Sequence, residues 1–372
     1  MRLSARWPDD ARGPVAMALR LLLVLALVVP IATLFGLVWR STEDGTRFAT
    51  LERHGVSYVG TLVSVELALA ESQSAVLTGR PVSTEKLTRA IDAAEASDAR
   101  YGDELRTHER WADVRAKIEA LPSRNGDLAA ASSAYAETAD LLLALIEKVR
   151  SNSRLIRDPE ADTYYLQDAA VQELPESIVS ANRLVHLALL TAQHPDGADQ
   201  NTGLADLMSL RAALDSNATD LADDVRQAVD TTGSRTLGGN LLSPLDRFRQ
   251  AIDALMPPPT PMGERPSAAG SASIVQAGEE AHAAAGVLSN AMLAEIDSLL
   301  VVRLDALADR RNLAIGAMAI AVLLAVIPPV VTLVRDCRRP TGRCDPPRGA
   351  PSTSAHAEFV AAAALERSGA PR

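Results

Sequence analysis

Residues 151–168 hold the densest group of side chains that could do chemistry: Arg154, Arg157, Asp158, Asp162, Tyr164, Tyr165 and Asp168. An arginine presents a planar fork of donors, so Arg154 or Arg157 could hold a carboxylate or another anion. The adjacent tyrosines could wall a pocket, with apolar faces and hydroxyl tips. The same residues also support a purely structural reading. Asp158 can cap a helix, Pro159 can open one, and buried tyrosines can bond a carbonyl. Either arginine can pair locally with Asp158 or Asp162. Helix-start chemistry accounts for most of these residues unaided, and the pocket is the sharper expectation beside it.

Other chemistry is not visible. The chain has no G-x-x-x-x-G-K-[ST] or G-x-G-x-x-G run to cradle a phosphate, and His108-Glu109 lacks the second histidine of a zinc helix. The six histidines are scattered; only His186 and His194 share a helix face, eight residues apart. No nucleophile has a recognisable base beside it. The expectation is a protein that is not an enzyme and carries no metal and no cofactor. Trp111 reads as core, and Asp223-Asp224 as a solvated face. Asn217-Ala218-Thr219 fits a glycosylation sequon, which matters only in a eukaryotic secretory pathway. Cys337 and Cys344 lack metal-site spacing and read as free thiols.

The elements that must position these groups are helical. Apolar content is mostly Ala, Leu and Val, and aromatic residues make up 3%. That mix suits helices and disfavours a β-sandwich or barrel. Residues 42–79 read as one helix, with Leu51, Val59, Leu62, Val65, Leu69, Val76 and Leu77 at three-to-four spacing and Glu52, Glu66 and Glu71 among them. Gly79-Arg80-Pro81 ends it. Ser83-Thr84-Glu85 opens a second helix running to Leu121, and a third carries Leu141, Leu142, Leu145, Ile146 and Val149. A fourth starts near Asp158-Pro159 and runs to Gln193, and a fifth covers 201–231. Thr231 to Pro244 reads as a loop, 245–256 as a short helix, and Pro257 to Pro261 as a stiff linker. The last helix covers 272–312.

Two stretches bracket this domain. Leu21–Trp39 is 19 residues without a charge and Leu313–Val334 is 22, each flanked by arginines. About 20 apolar residues cross a hydrocarbon core as a helix. A cleaved signal peptide is the rival reading for the first, but no A-x-A site follows it, and Trp39-Arg40 suits a retained anchor. Net charge is +2 over residues 1–20, −15 over 40–312 and +3 over 335–372. The positive-inside rule then puts both termini in the cytoplasm and the acidic loop outside. An acidic domain repels nucleic acid, so none is expected as a partner. The expected fold is all-α: two transmembrane helices (21–39 and 313–334) flank an antiparallel helical bundle, or two stacked bundles, over 40–312. Short cytoplasmic ends lie at 1–20 and 335–372. A bacterial inner membrane suits this pattern, with the domain periplasmic and the bilayer itself a partner.

The stretch Ser151-Asn152-Ser153-Arg154-Leu155-Ile156-Arg157-Asp158-Pro159-Glu160-Ala161-Asp162-Thr163-Tyr164-Tyr165-Leu166-Gln167-Asp168 resembles the S-N-L-x-L-D-P-D-x-D-S-Y-Y-L-M-D signature of a group of sensory domains. These belong to bacterial transmembrane chemoreceptors and sensor kinases. Leu174-Pro175-Glu176 is similar to the L-P-E that follows it there. Arg110-Trp111 with Leu121 resembles an upstream R-W-x-x-L region, and Val302-Arg303-Leu304 with Asp309-Arg310-Arg311 resembles the approach to the second span. The resemblance covers residues 20–335 and implies a homodimeric sensor of a small molecule or periplasmic partner. Such receptors continue into a paired-helix linker and an output domain. Only 38 residues follow Val334, with Pro340, Pro346, Pro347 and Pro351 breaking their first part. The alternative expectation is therefore a structural or interaction protein without signalling, or a receptor remnant.

Overall fold

The computed structural model describes residues 12–121, 128–155, 160–193, 199–234, 236–256 and 268–337. In chain order the helices are α1 (Arg12–Leu77), α2 (Thr84–Leu105), α3 (His108–Glu119), α4 (Leu128–Asn152), α5 (Ala161–Asp168), α6 (Leu174–Gln193), α7 (Asp199–Thr231), α8 (Leu237–Leu255) and α9 (Ala268–Cys337). A π-helical turn, Ala169–Glu173, joins α5 to α6. The protein is all-α, with no strand among the described residues.

Leu25–Ala319 forms one compact unit. Its core is almost entirely aliphatic, drawn from every helix, with Tyr58, Leu62, Leu142, Leu145, Leu166, Leu174, Ile178, Leu214 and Phe248 among the largest fully buried side chains. Helices α1 and α9 run antiparallel. Gly45 faces Leu307, Gly60 faces Leu293 and Leu67 faces Gly286, so numbers rise along α1 as they fall along α9. The glycines let the leucines approach; a Cβ at any of the three would lie 3.2 Å from the facing leucine. The same opposition holds for α1 against α2, where His54 pairs with Glu104 and Glu71 with Lys86. It holds again for α4 against the successive helices α5 and α6, where Arg150 pairs with Asp168 of α5 and Asp140 with Arg183 of α6. The other unit comprises Met1–Val24 and Ile320–Arg372, and its described residues continue α1 and α9 as helix.

Local chemistry explains the helix ends. Gly79 has φ +69°, and the N–H groups of Gly79 and Arg80 donate to the carbonyls of Val76 and Ala75. These two bonds stop α1 in a Schellman motif. The single helix expected over 83–121 is instead the hairpin α2–α3. Arg106 is left-handed (φ 54°), and Asp98 gathers the hydroxyls of Tyr58 (2.8 Å) and Thr107 (2.7 Å) and the ring of His108 (2.6 Å). Gly102 leaves no Cβ where the His108 ring packs. Arg115–Glu95 then ties α3 back along α2. The loop expected over 231–244 is also shorter, because α8 begins at Leu237 and takes Pro244 inside it. Leu237 and Leu241 are buried there, and their burial outweighs the hydrogen bond that proline removes.

Among the described residues, three helices are long and apolar enough to cross a membrane, where the sequence suggested two: those carrying Val24–Leu77, Ala129–Asn152 and Ala272–Ile327. The second of these already buries Leu142, Leu145, Ile146 and Val149 against protein. The charge-free run of α1 does not: Leu25, Leu34 and Leu37 are each about 60% exposed, as is Ile320 of α9. These are the surfaces that need an apolar solvent.

Candidate functional site

The sequence singled out the start of α5, and the structure makes that segment one wall of a buried charged junction. Glu52 projects from α1 and is fully buried. Arg303 projects from α9, 13% exposed, with one guanidinium nitrogen 3.3 Å from the Glu52 carboxylate. The other guanidinium nitrogen reaches Glu160 (3.1 Å) and donates to the Thr163 hydroxyl (3.3 Å). Gln167, also buried, donates its amide to Glu52 (3.2 Å). Thr163 and Gln167 lie four residues apart, one turn of α5, so both reach the same side. The junction thus binds α1, α5 and α9 through ionic and amide contacts, with Glu52, Thr163 and Gln167 buried and Glu160 at its exposed edge. A buried pair of this kind adds little net stability, but removing one partner leaves a stranded charge and costs about 3–5 kcal/mol.

The chain reaches the junction over a close approach. Gly55, one turn above Glu52, lets Ser153 and Leu155 pack directly on α1. Arg154, in the same turn, is left-handed (φ 66°) and sets its guanidinium 5.8 Å from the centre of the Phe48 ring. On the far side of α5, Asp168 accepts from Arg150 of α4 at 3.4 Å, and Arg150 also pairs with Glu147 and Gln172. The π turn follows. Pro175 cannot donate to the carbonyl of Val171, and its ring would crowd that carbonyl in a regular α-helix; the wider turn just before it relieves the crowding.

The turn faces an acidic stretch of α7. Burial, then the neighbouring Glu176, Asp168, Asp220 and Asp224, push the Glu173 carboxyl up to about 7. Burial and the same kind of repulsion push Asp224 up to about 6. Burial also raises Asp168, against the pull of Arg150.

Of the expected ligand-binding residues, the described Arg154, the Tyr164–Tyr165 pair and Asp168 take up separate contacts. Tyr164 is 38% exposed and meets Tyr165 edge to face, ring centres 5.5 Å apart. Arg154 lies against Phe48 and Asp168 against Arg150. Arg157, Asp158 and the Asp162 side chain lie outside the described residues. Two cavities among the described residues lie elsewhere, one among α1, α2 and α9 and one among α1, α4, α6 and α7, and neither is lined by Arg154, Tyr164, Tyr165 or Asp168. Glu160, Thr163 and Gln167 fill the spaces between the singled-out residues, and they make the junction. Among the described residues, no group of three or more His, Cys, Asp or Glu could hold a metal ion.

Compared with protein-family models, curated proteins and solved structures, the chain matches none of them.

Proposed function

We propose that this chain is a membrane-anchored sensory module. Spans at 21–39 and 313–334 fix it in a bacterial inner membrane with both ends cytoplasmic, and the helical domain over 40–312 stands in the periplasm as a homodimer. A small molecule or a periplasmic partner bound by that domain shifts the helices, and α1 and α9 carry the shift inward. The charge distribution and the two apolar runs support the topology. The resemblance of Ser151–Asp168 and of Val302-Arg303-Leu304 to receptor sensory domains supports the role.

The observation that carries the reading is the junction. Residues of the receptor-like segment (Glu160, Thr163, Gln167) hold Arg303 of α9 and Glu52 of α1. A displacement of α5 cannot leave those contacts intact unless α1 or α9 moves too. Small shifts of packed helices are a known way of passing a signal, and a ligand acts by favouring one of two arrangements.

The reading is tested by fusing residues 1–337 to the cytoplasmic output module of a receptor whose activity can be measured in cells. Glu52→Gln and Thr163→Val each alter the junction without touching the membrane spans. The expected result is a changed basal output for both variants at unchanged membrane abundance. Wild-type output from both, with the protein in the membrane, would refute a relay through this junction.

A further inference from the structure

We propose that the cavity among α1, α2 and α9 binds a small zwitterion with an apolar body, the chemistry an aliphatic amino acid presents. The cavity measures about 830 Å3, within the range of small-molecule sites. It deepens the sensory reading and rests on that reading for its role in signalling; the binding itself stands apart from it.

The cavity is a product of small residues. Ala68 and Ala75 on α1, Ala90 and Ala93 on α2, and Ala283 and Gly286 on α9 leave the space, and Leu67 adds an apolar wall. The closing turn is fixed by the Schellman motif at Gly79, which delivers Arg80 to the rim.

Charges of both signs line the rim. Arg80, Lys86 and Arg89 face the cavity together with Glu71 and Glu279. They are already joined across it: Arg80 to Glu279 from the turn to α9, and Lys86 to Glu71 (2.9 Å) from α2 to α1. Arg89 is held by Glu85 (2.6 Å). All four members of the two crossing pairs are about half exposed. Such pairs are weak, so exchanging their partners costs little.

The arrangement selects among ligands by sign. A simple carboxylate would gain the cations but face Glu71 and Glu279 at close range. A simple amine would meet the opposite conflict. A molecule carrying both charges replaces each partner in kind: its carboxylate takes Lys86 or Arg80, and its ammonium takes Glu71 or Glu279. An aliphatic body then covers the alanine-lined floor.

Isothermal titration of the full chain in lipid nanodiscs tests this with leucine, 4-methylpentanoate and 3-methylbutylamine, which share one aliphatic body and differ in charge. Leucine is expected to bind at least about tenfold more tightly than either single-charge analogue, because each analogue replaces one rim partner and leaves a rim charge of its own sign facing it unmatched. Lys86→Gln and Glu71→Gln, both at exposed helix positions, are each expected to weaken leucine by about tenfold with an unchanged melting temperature. Absence of leucine binding, equal binding of either analogue, or unaltered affinity in both variants would overturn the site. The wild-type comparison needs no variant to fold. If leucine binds as expected but leaves the output of the fused receptor unchanged, the site stands and the sensory reading fails.

Discussion

A single carboxyl shows how unevenly the core of this domain is built. Glu66 lies on α1 two turns from Tyr58 and Val59, with both oxygens buried and no hydrogen-bond partner. Burial holds its carboxyl well above the usual 4.5, so the folded chain keeps it protonated where the unfolded chain ionises it. Below the unfolded value both states are protonated and the group is neutral to stability. As pH rises past that value only the unfolded state releases its proton, and stability falls until the folded value is reached. Glu66→Gln removes this dependence while keeping the shape. Chemical unfolding of both forms at about pH 4 should give similar stabilities, with the variant gaining steadily toward about pH 8. A constant difference across that range would mean that Glu66 is ionised in the fold. His186 and His282 act in the opposite direction in both forms. Burial lowers them to about 3 and about 4, so their stabilising contribution is complete above 6.5 and is lost as pH falls toward those values.

Elements meet here through residues too small to have drawn attention. Gly55 carries no side chain where Ser153 and Leu155 press on α1, and an added Cβ would collide with the fully buried Ser153. Gly55→Ala should therefore cost about 1–3 kcal/mol in a urea titration, the range for overpacking a close contact. Adding Ser153→Gly should recover part of the loss, and a fully additive pair would show that the two sites do not touch. The long helices were legible in the sequence because their apolar residues recur at helical spacing and Gly79-Arg80-Pro81 punctuates them. The α2–α3 hairpin was not. Its reversal depends on Asp98 drawing in Tyr58, Thr107 and His108, and the partner on α1 is 40 residues away. The junction was half legible. Glu52 stood out as an acid in an apolar stripe and Arg303 belonged to the receptor-like approach to the second span, but nothing local joins two residues 251 positions apart. The motif drew attention to arginines and tyrosines, whereas contact with α9 is made by Glu160 and Thr163, the less conspicuous residues between them.

At the scale of the whole chain, the charged residues mark where water stops. Along α1 the last charges before the apolar run are at Arg40 and Glu43, and along α9 they are at Asp309, Arg310 and Arg311. Gly45 faces Leu307, so these two charged borders lie at the same level of the helix pair. Below Arg40, Thr33 bonds the carbonyl of Val29 within its own helix, which spares its hydroxyl any need for water. A shared border is what two antiparallel spans need if one membrane surface is to meet both. Single cysteines in a background with Cys337 and Cys344 replaced by serine locate that surface. Asp309→Cys should react with a membrane-impermeant maleimide in intact cells. Leu34→Cys should stay unreactive until detergent is added, and the native Cys337, kept as the single thiol, should react only after the cells are opened. Equal labelling of Leu34→Cys and Asp309→Cys in intact cells would remove the first span, and labelling of Cys337 from outside would invert the second. The observed order of the three thiols fixes the direction in which a shift of α9 against α1 could be read.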